Sequence, residues 1–192
     1  MAGLLDIIPP ENRPSGMGFK NIQGLLEVDF SNWRDNSNIQ ALIKKNPIVE
    51  KIIQAESSGN HRAFNEGSGA RGLMQITPIT ALGGVDDDGN QTYAHGMYGR
   101  TLSLEELYDP EKNVKFGTDY FNALKKSFGN NAKALVAYNW GPGNYKEWRE
   151  GGRNFSELPK ETRDYLRKIL EAPDKQIKKM LGVPVPTVLR QV

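Results

Sequence analysis

The chain has no cysteine, so it has neither a disulfide framework nor a thiolate nucleophile. It has only two histidines, His61 and His95, and neither stands at ligand spacing from another metal-binding side chain. An excess of one charge is also missing. The 25 Lys and Arg against 23 Asp and Glu leave a net charge of +2, which excludes the strongly basic footprint of a nucleic-acid binder. No apolar run approaches the ~18 residues that a membrane-spanning helix needs. The opening stretch "MAGLLDIIPPENRPSGMG" has no basic start, and Asp6 and Pro9 cut its apolar part, so it does not read as a secretory signal. The acid run "VDDDGN" places its glycine wrongly for an EF-hand, since counting Gly89 as the sixth position puts His95 at the twelfth. No metal and no cofactor are expected.

What is present is the composition of an ordinary globular protein, 38% hydrophobic and 25% charged, on a chain of 192 residues, long enough for one domain with a core. Residues 1–20, with Pro9, Pro10 and Pro14, read as an extended arm. "NIQALIKK" has helical spacing at Ile39, Leu42 and Ile43. "NPIVEKIIQAES" reads as a helix capped by Asn46 with Pro47 at its first position. "GLMQITPITAL" reads as a second, short helix. Residues 83–100 form a long Gly-rich polar loop, expected at the surface over or beside a groove. Helices are expected in "SLEELYDPEKNVKFGTDYFNALKKSFG", with Gly129 as its C-cap, in "NAKALVAYNW" before a Gly-Pro-Gly turn, and in "ELPKETRDYLRKIL". The expected fold is mainly α, with residues 1–45 as an arm and accessory helix, 46–171 as the domain, and 172–192 as a C-terminal helix and Pro-rich tail.

One residue is out of place in this pattern. Val49, Ile52, Ile53 and Glu56 fall at i, i+3, i+4 and i+7, so the carboxylate shares the apolar face of its helix. It also stands at the helix C-terminus, where the macrodipole opposes negative charge. Partial burial and the dipole both raise a carboxyl pKa, and such a group can hold a proton near neutrality and donate it. A capping or ion-paired Glu is the plainer alternative. The turns "GSGARG" and "NWGPGN" bracket this Glu with small residues, amides and aromatics, a mixture that suits a sugar polymer.

Taken together, these stretches resemble the lytic transglycosylases of the soluble-lytic-transglycosylase (SLT, goose-lysozyme-like) group, in order along roughly residues 45–170. The motifs are "QAESSGN", "GARGLMQITP", "YDPEKNVKFGTDYF", "VAYNWGPGN" and "ETRDYLRKIL". The resemblance implies a lysozyme-like single domain with Glu56 as catalytic acid and base. It implies that Met74 and Gln75 line the sugar subsites, that Tyr138 orients the carboxylate with Asn139 nearby, and that Tyr165 closes the cleft. Thr162 and Arg163 would organise the last helix, and Asp109, Asn113 and Gly117 would be structural. The family's usual Ser before "GARGLMQ" is replaced here by Glu66; either Ser68, two residues later, substitutes for it through a different loop path, or that contact is lost.

The implied reaction cleaves the β-1,4 bond between N-acetylmuramic acid and N-acetylglucosamine of peptidoglycan and leaves a 1,6-anhydro sugar. A goose-type hydrolase using Glu66 or an Asp from 86–88 remains open, as does a non-catalytic wall-binding component. A wall-directed chain without an evident signal suggests a phage product, virion-associated through its arms or released at lysis. The expected partners are glycan strands and virion proteins, with no nucleic acid.

Overall fold

The computed structural model describes residues 30–82 and 101–184. The expected arm, the 83–100 loop and the Pro-rich tail from 185 onward lie outside the described residues. Within them the helices are α1 (Ser37–Lys45), α2 (Ile48–Glu56), α3 (Pro78–Leu82), α4 (Pro110–Phe128), α5 (Asn131–Trp140), α6 (Pro142–Glu150), α7 (Lys160–Leu170) and α8 (Asp174–Leu181). Single 3-10 turns precede α1, α4 and α7. The extended contacts among the described residues are two isolated bridges, Phe64 to Arg71 and Arg71 to Ile76.

Helix α5 is the hub. It packs against α4, α6, α7 and α8, while α2 lies against α7 and α1 against α4. The centrality follows from its sequence: Ala132, Ala134, Leu135, Val136 and Ala137 are all buried, so α5 is apolar nearly all round. Small Ala side chains let its neighbours approach closely. The other helices each contribute one stripe, such as Tyr165, Leu166 and Ile169 of α7.

Helix α4 stops at Gly129 as expected but starts later than the expected stretch from Ser103, at Pro110. Asp109 accepts from the Glu111 and Lys112 amides, Pro110 follows at the first position, and Gly129 ends the helix at φ +100°. Two other expectations are corrected. Asn46 does not cap α2 with its side chain; its amide donates from the α1–α2 corner to Asn122 Oδ1 on α4 (3.2 Å). "GLMQI" is not helical. Residues 70–76 form a tight looped turn, because Gly69 and Gly72 adopt φ +69° and +78° and Gln75 +46°, and a helix begins only at Pro78. A third helix end was missed: the Gly-Pro-Gly turn does not end in loop but starts α6, with Pro142 at its first turn.

Candidate active site

Glu56 is the last residue of α2. The helix stops there for local reasons. Ser57 leaves helical geometry, and Ser58 and Gly59 take φ +54° and +82°. The Ser57 hydroxyl lies 3.1 Å from the Ile53 carbonyl and 2.8 Å from that of Leu73. The second contact fastens the end of α2 to the 70–76 turn.

That turn is held from its other side by Asn113 of α4, a fully buried amide. Its Oδ1 accepts from the Met74 amide (2.8 Å), and its Nδ2 donates to the Arg71 and Leu107 carbonyls (3.0 and 2.9 Å). A Cβ on Gly72 would meet the Leu107 carbonyl at 2.2 Å, so the close approach requires glycine. Gly117 plays the matching part on α4: a Cβ there would lie 2.6 Å from Met74 Sδ.

The Glu56 carboxylate faces α7. Burial is the main influence on it, and its pKa is pushed up to about 7. The Tyr165 hydroxyl on α7 pulls in the opposite direction, the charge of Glu161 adds to the rise, and Lys168 offsets part of it. Tyr165 acts on Glu56 without closing a hydrogen bond of ordinary length; its hydroxyl is buried and unpartnered. Burial, and then the neighbouring carboxylate, hold the Tyr165 phenol well above its usual value, so it stays a neutral donor. Lys168 is itself placed by its bond to the Gln54 carbonyl, 3.1 Å away on α2. A half-buried acid titrating near neutrality beside a neutral phenol can give a proton and take one back at the same pH.

The other expected residues divide. Gln75 sits on the turn, half-buried and in the left-handed region, with its amide nitrogen donating to the Ala63 and Gly72 carbonyls (3.2 and 3.0 Å). Its oxygen accepts no hydrogen bond among the described residues. Met74 requires a correction: its side chain is fully buried against Gly117 and offers no surface to a sugar. What it contributes is its carbonyl, which accepts from Tyr138 Oη at 2.8 Å. Tyr138, packed on Tyr120 and Phe121, thereby ties α5 to the turn. Asn139 accepts from the buried Thr162 hydroxyl (2.7 Å), a link between α5 and α7. Ser68 lies on an exposed turn, where its Oγ accepts from the Ala70 amide (3.3 Å). Glu66 is exposed on the same turn.

Glu161 and Lys168 were not among the residues singled out from the sequence. They stand at i−4 and i+3 from Tyr165, on one face of α7, and that spacing was the available signal. The charged groups acting on Glu56 are therefore these two, one of each sign. Among the described residues no group of three His, Asp or Glu side chains converges to hold a metal ion.

Residues 36–159 match the family model described as the transglycosylase SLT domain. The membrane-bound lytic murein transglycosylase E of Buchnera aphidicola (subsp. Acyrthosiphon pisum) is 40% identical over 111 residues, covering 55% of this chain and 45% of that protein. The soluble lytic murein transglycosylase of Escherichia coli K12 is 36% identical over 128 residues, 62% of this chain and 18% of its own length. The transglycosylase of Enterobacteria phage PRD1 is 28% identical over 141 residues, 73% of this chain and 40% of the phage protein. The chain thus spans less than half the length of each of these relatives. Among solved structures, the 70 kDa soluble lytic transglycosylase of Escherichia coli superposes with a TM-score of 0.55 at 29% identity, over 74% of this chain and 24% of that one. The mainly helical, lysozyme-like architecture is shared with it.

Proposed function

The chain belongs to the transglycosylase SLT domain family, and from that premise we propose that it is a peptidoglycan lytic transglycosylase with Glu56 as its single acid and base. The observation that carries this reading is the Glu56 carboxyl at the end of α2, pushed up to about 7 mainly by burial. Near neutrality a large share of molecules hold the proton that a leaving oxygen needs.

Glu56 gives its proton to the glycosidic oxygen as the C1–O4 bond breaks, and the electron pair leaves with that oxygen. The acetamido group of the same sugar shares the positive charge at C1. The Glu56 carboxylate then takes the proton of the C6 hydroxyl, whose oxygen closes onto C1. The residue ends as it began, and no water is consumed. The roles around it follow from geometry. Tyr165 keeps its proton and steadies the carboxylate after the first step. The Gln75 amide oxygen receives a sugar N–H or hydroxyl. Tyr138 and Asn139 hold the Met74 carbonyl and α7 in register, and Ser68 meets the strand at the rim.

The similarity to a phage transglycosylase supports a phage setting, in which the enzyme opens the wall during entry or lysis. Detecting the chain by mass spectrometry in purified particles tests the virion-bound form. Digestion of purified peptidoglycan tests the chemistry: products lighter by one water than hydrolysed muropeptides are expected. Reducing-end muramic acid as the main product overturns the anhydro route and turns attention to Glu161, the carboxylate whose charge acts on Glu56.

A further inference from the structure

A cleft separate from Glu56 opens elsewhere on the protein. It lies on the other flank of α7, between the 152–156 loop and α8, and encloses about 650 Å³. Four cations line it, Arg153, Arg163, Arg167 and Lys178, against one carboxylate, Asp174. Arg167 is neutralised within the protein, donating from Nε and Nη2 to Asp174 (2.7 and 2.9 Å) and from Nη1 to Asp164. The other three cations close no ion pair among the described residues, although the charges of Lys178 and Arg163 also act on Asp174. That local excess of three exceeds the +2 of the whole chain.

These cations are positioned in advance. Arg163 spends only Nη1, on the Ser156 and Leu158 carbonyls at 2.6 Å each. Arg153 spends Nε on the Arg149 carbonyl and Nη1 on that of Gly182 (3.2 Å). Each guanidinium therefore keeps N–H donors for a ligand, and its orientation is already set. Lys178 stands over the Phe155 ring (5.3 Å), which with Val183 and Pro184 supplies an apolar part of the lining. Fixed cations over an apolar floor suit a chain bearing carboxylates and small apolar groups better than a bare inorganic anion, which gains nothing from such a floor.

The cleft and the groove beside Glu56 share helix α7. Glu161, Tyr165 and Lys168 present one flank of α7 to Glu56, and Arg163 and Arg167 present the other. A helix with its side chains is about 10–12 Å across.

We propose that this cleft is a second binding site, for the acidic peptide arm of the glycan strand that lies in the catalytic groove. The identity of the ligand rests on the function proposed above; the cleft itself does not. The arm crosses the exposed Lys160–Asp164–Arg167 ridge of α7, and its carboxylates meet Arg153, Arg163 and Lys178. The site reads whether the strand carries free, uncapped peptide carboxylates.

The test uses the full chain and two probes, the synthetic arm N-acetyl-L-Ala-γ-D-Glu-L-Lys-D-Ala and its bis-amide. Amide chemical shifts of residues 152–156 and 178–183 should move with the acid and not with the bis-amide. The Arg153→Ala, Lys178→Ala pair should weaken binding about tenfold or more, since hydrogen bonds to charged groups are lost. Lys178→Ala alone, whose recorded contact is the Phe155 ring, should weaken it by a smaller factor and melt as wild type does. The paired variant should raise KM on intact wall at unchanged kcat, with no change on strands stripped of peptide. Glu56→Gln should bind the arm as wild type does. Unmoved shifts in these segments, equal binding of the bis-amide, or equal shifts with inorganic phosphate would each overturn the proposal. Those results leave the reading of Glu56 intact. That reading fails separately, if Glu56→Gln still cleaves wall.

Discussion

Two carboxylates stand at helix ends in this protein, and they are opposites. Asp109 precedes α4, where it accepts two backbone amides and lies at the positive end of the dipole. Glu56 closes α2, at the negative end and facing the protein, with its pKa pushed up to about 7. Asp109 caps a helix through backbone amides, whereas burial and the charge of Glu161 disfavour the charge of Glu56, with Tyr165 and Lys168 acting the other way. The first arrangement stabilises the fold. The second costs stability and supplies a transferable proton. Helix-end acids are thus separated by which end they occupy and what they face, not by their type.

The sharpest way to break this contrast is Glu56→Gln. Loss of the acid should cut wall cleavage by roughly 10²–10⁴-fold or more, since one group serves both proton transfers. Release of soluble muropeptides measures it. Folding should move the other way. The Glu56 carboxyl has a folded pKa of about 7 against 4.5 for an ordinary Glu, so it costs no stability below pH 4.5. Stability falls as pH rises from 4.5 to 7, where the unfolded chain ionises first, and the loss is complete above 7. The Gln variant should therefore melt higher than wild type at pH 8, by an amount worth at most ~3 kcal/mol, and not at pH 4. In the wild type, kcat/KM should fall on the alkaline side with an apparent pKa near 7.

Next in size is the clamp that holds the turn opposite Glu56. Asn113→Ala removes three buried hydrogen bonds and strands the Met74 amide, which should cost about 2–4 kcal/mol in denaturant unfolding. Activity should fall with the fold. Asp109→Ala sharpens the comparison from the other side, with a stability loss of about 1 kcal/mol and unchanged kcat. The smallest effect is expected from Tyr165→Phe. The hydroxyl draws the Glu56 pKa down, so its removal should move the alkaline limb of the pH profile upward by a fraction of a unit.

Much of this was legible in the sequence, because it is written in short-range rules. The spacing of Val49, Ile52 and Ile53 placed Glu56 on the inner face, and Gly129 marked the C-terminal end of α4. Met74 was misjudged for a physical reason. Its pocket is made by Gly117, 43 residues away, and no local pattern announces a hole left by a missing Cβ. Residues 72–76 read as the start of a helix because their apolar residues mimic a helical run. The real geometry of the 70–76 turn comes from positive φ at Gly69, Gly72 and Gln75 and from the amide of Asn113 on a distant helix. Glu161 and Lys168 were visible as neighbours of Tyr165 on α7, but that α7 faces α2 is a fact of topology.

The turn after Glu56 also has a neighbour that bears on how far the chain can be shortened. Trp33 Nε1 donates to the Gly59 carbonyl (3.0 Å), and the Arg34 guanidinium covers Gly59 so closely that a Cβ there would meet it at 2.7 Å. Asn36 and Asn38 both reach Glu111 at the start of α4 (3.0 and 2.8 Å). Trp33, Arg34, Asn36 and Asn38 thus brace the turn after Glu56 and the start of α4, and a chain trimmed to begin at residue 46 would keep every motif while losing that strut. For expression, fusion or display, a shortened chain should keep Trp33 and the residues after it.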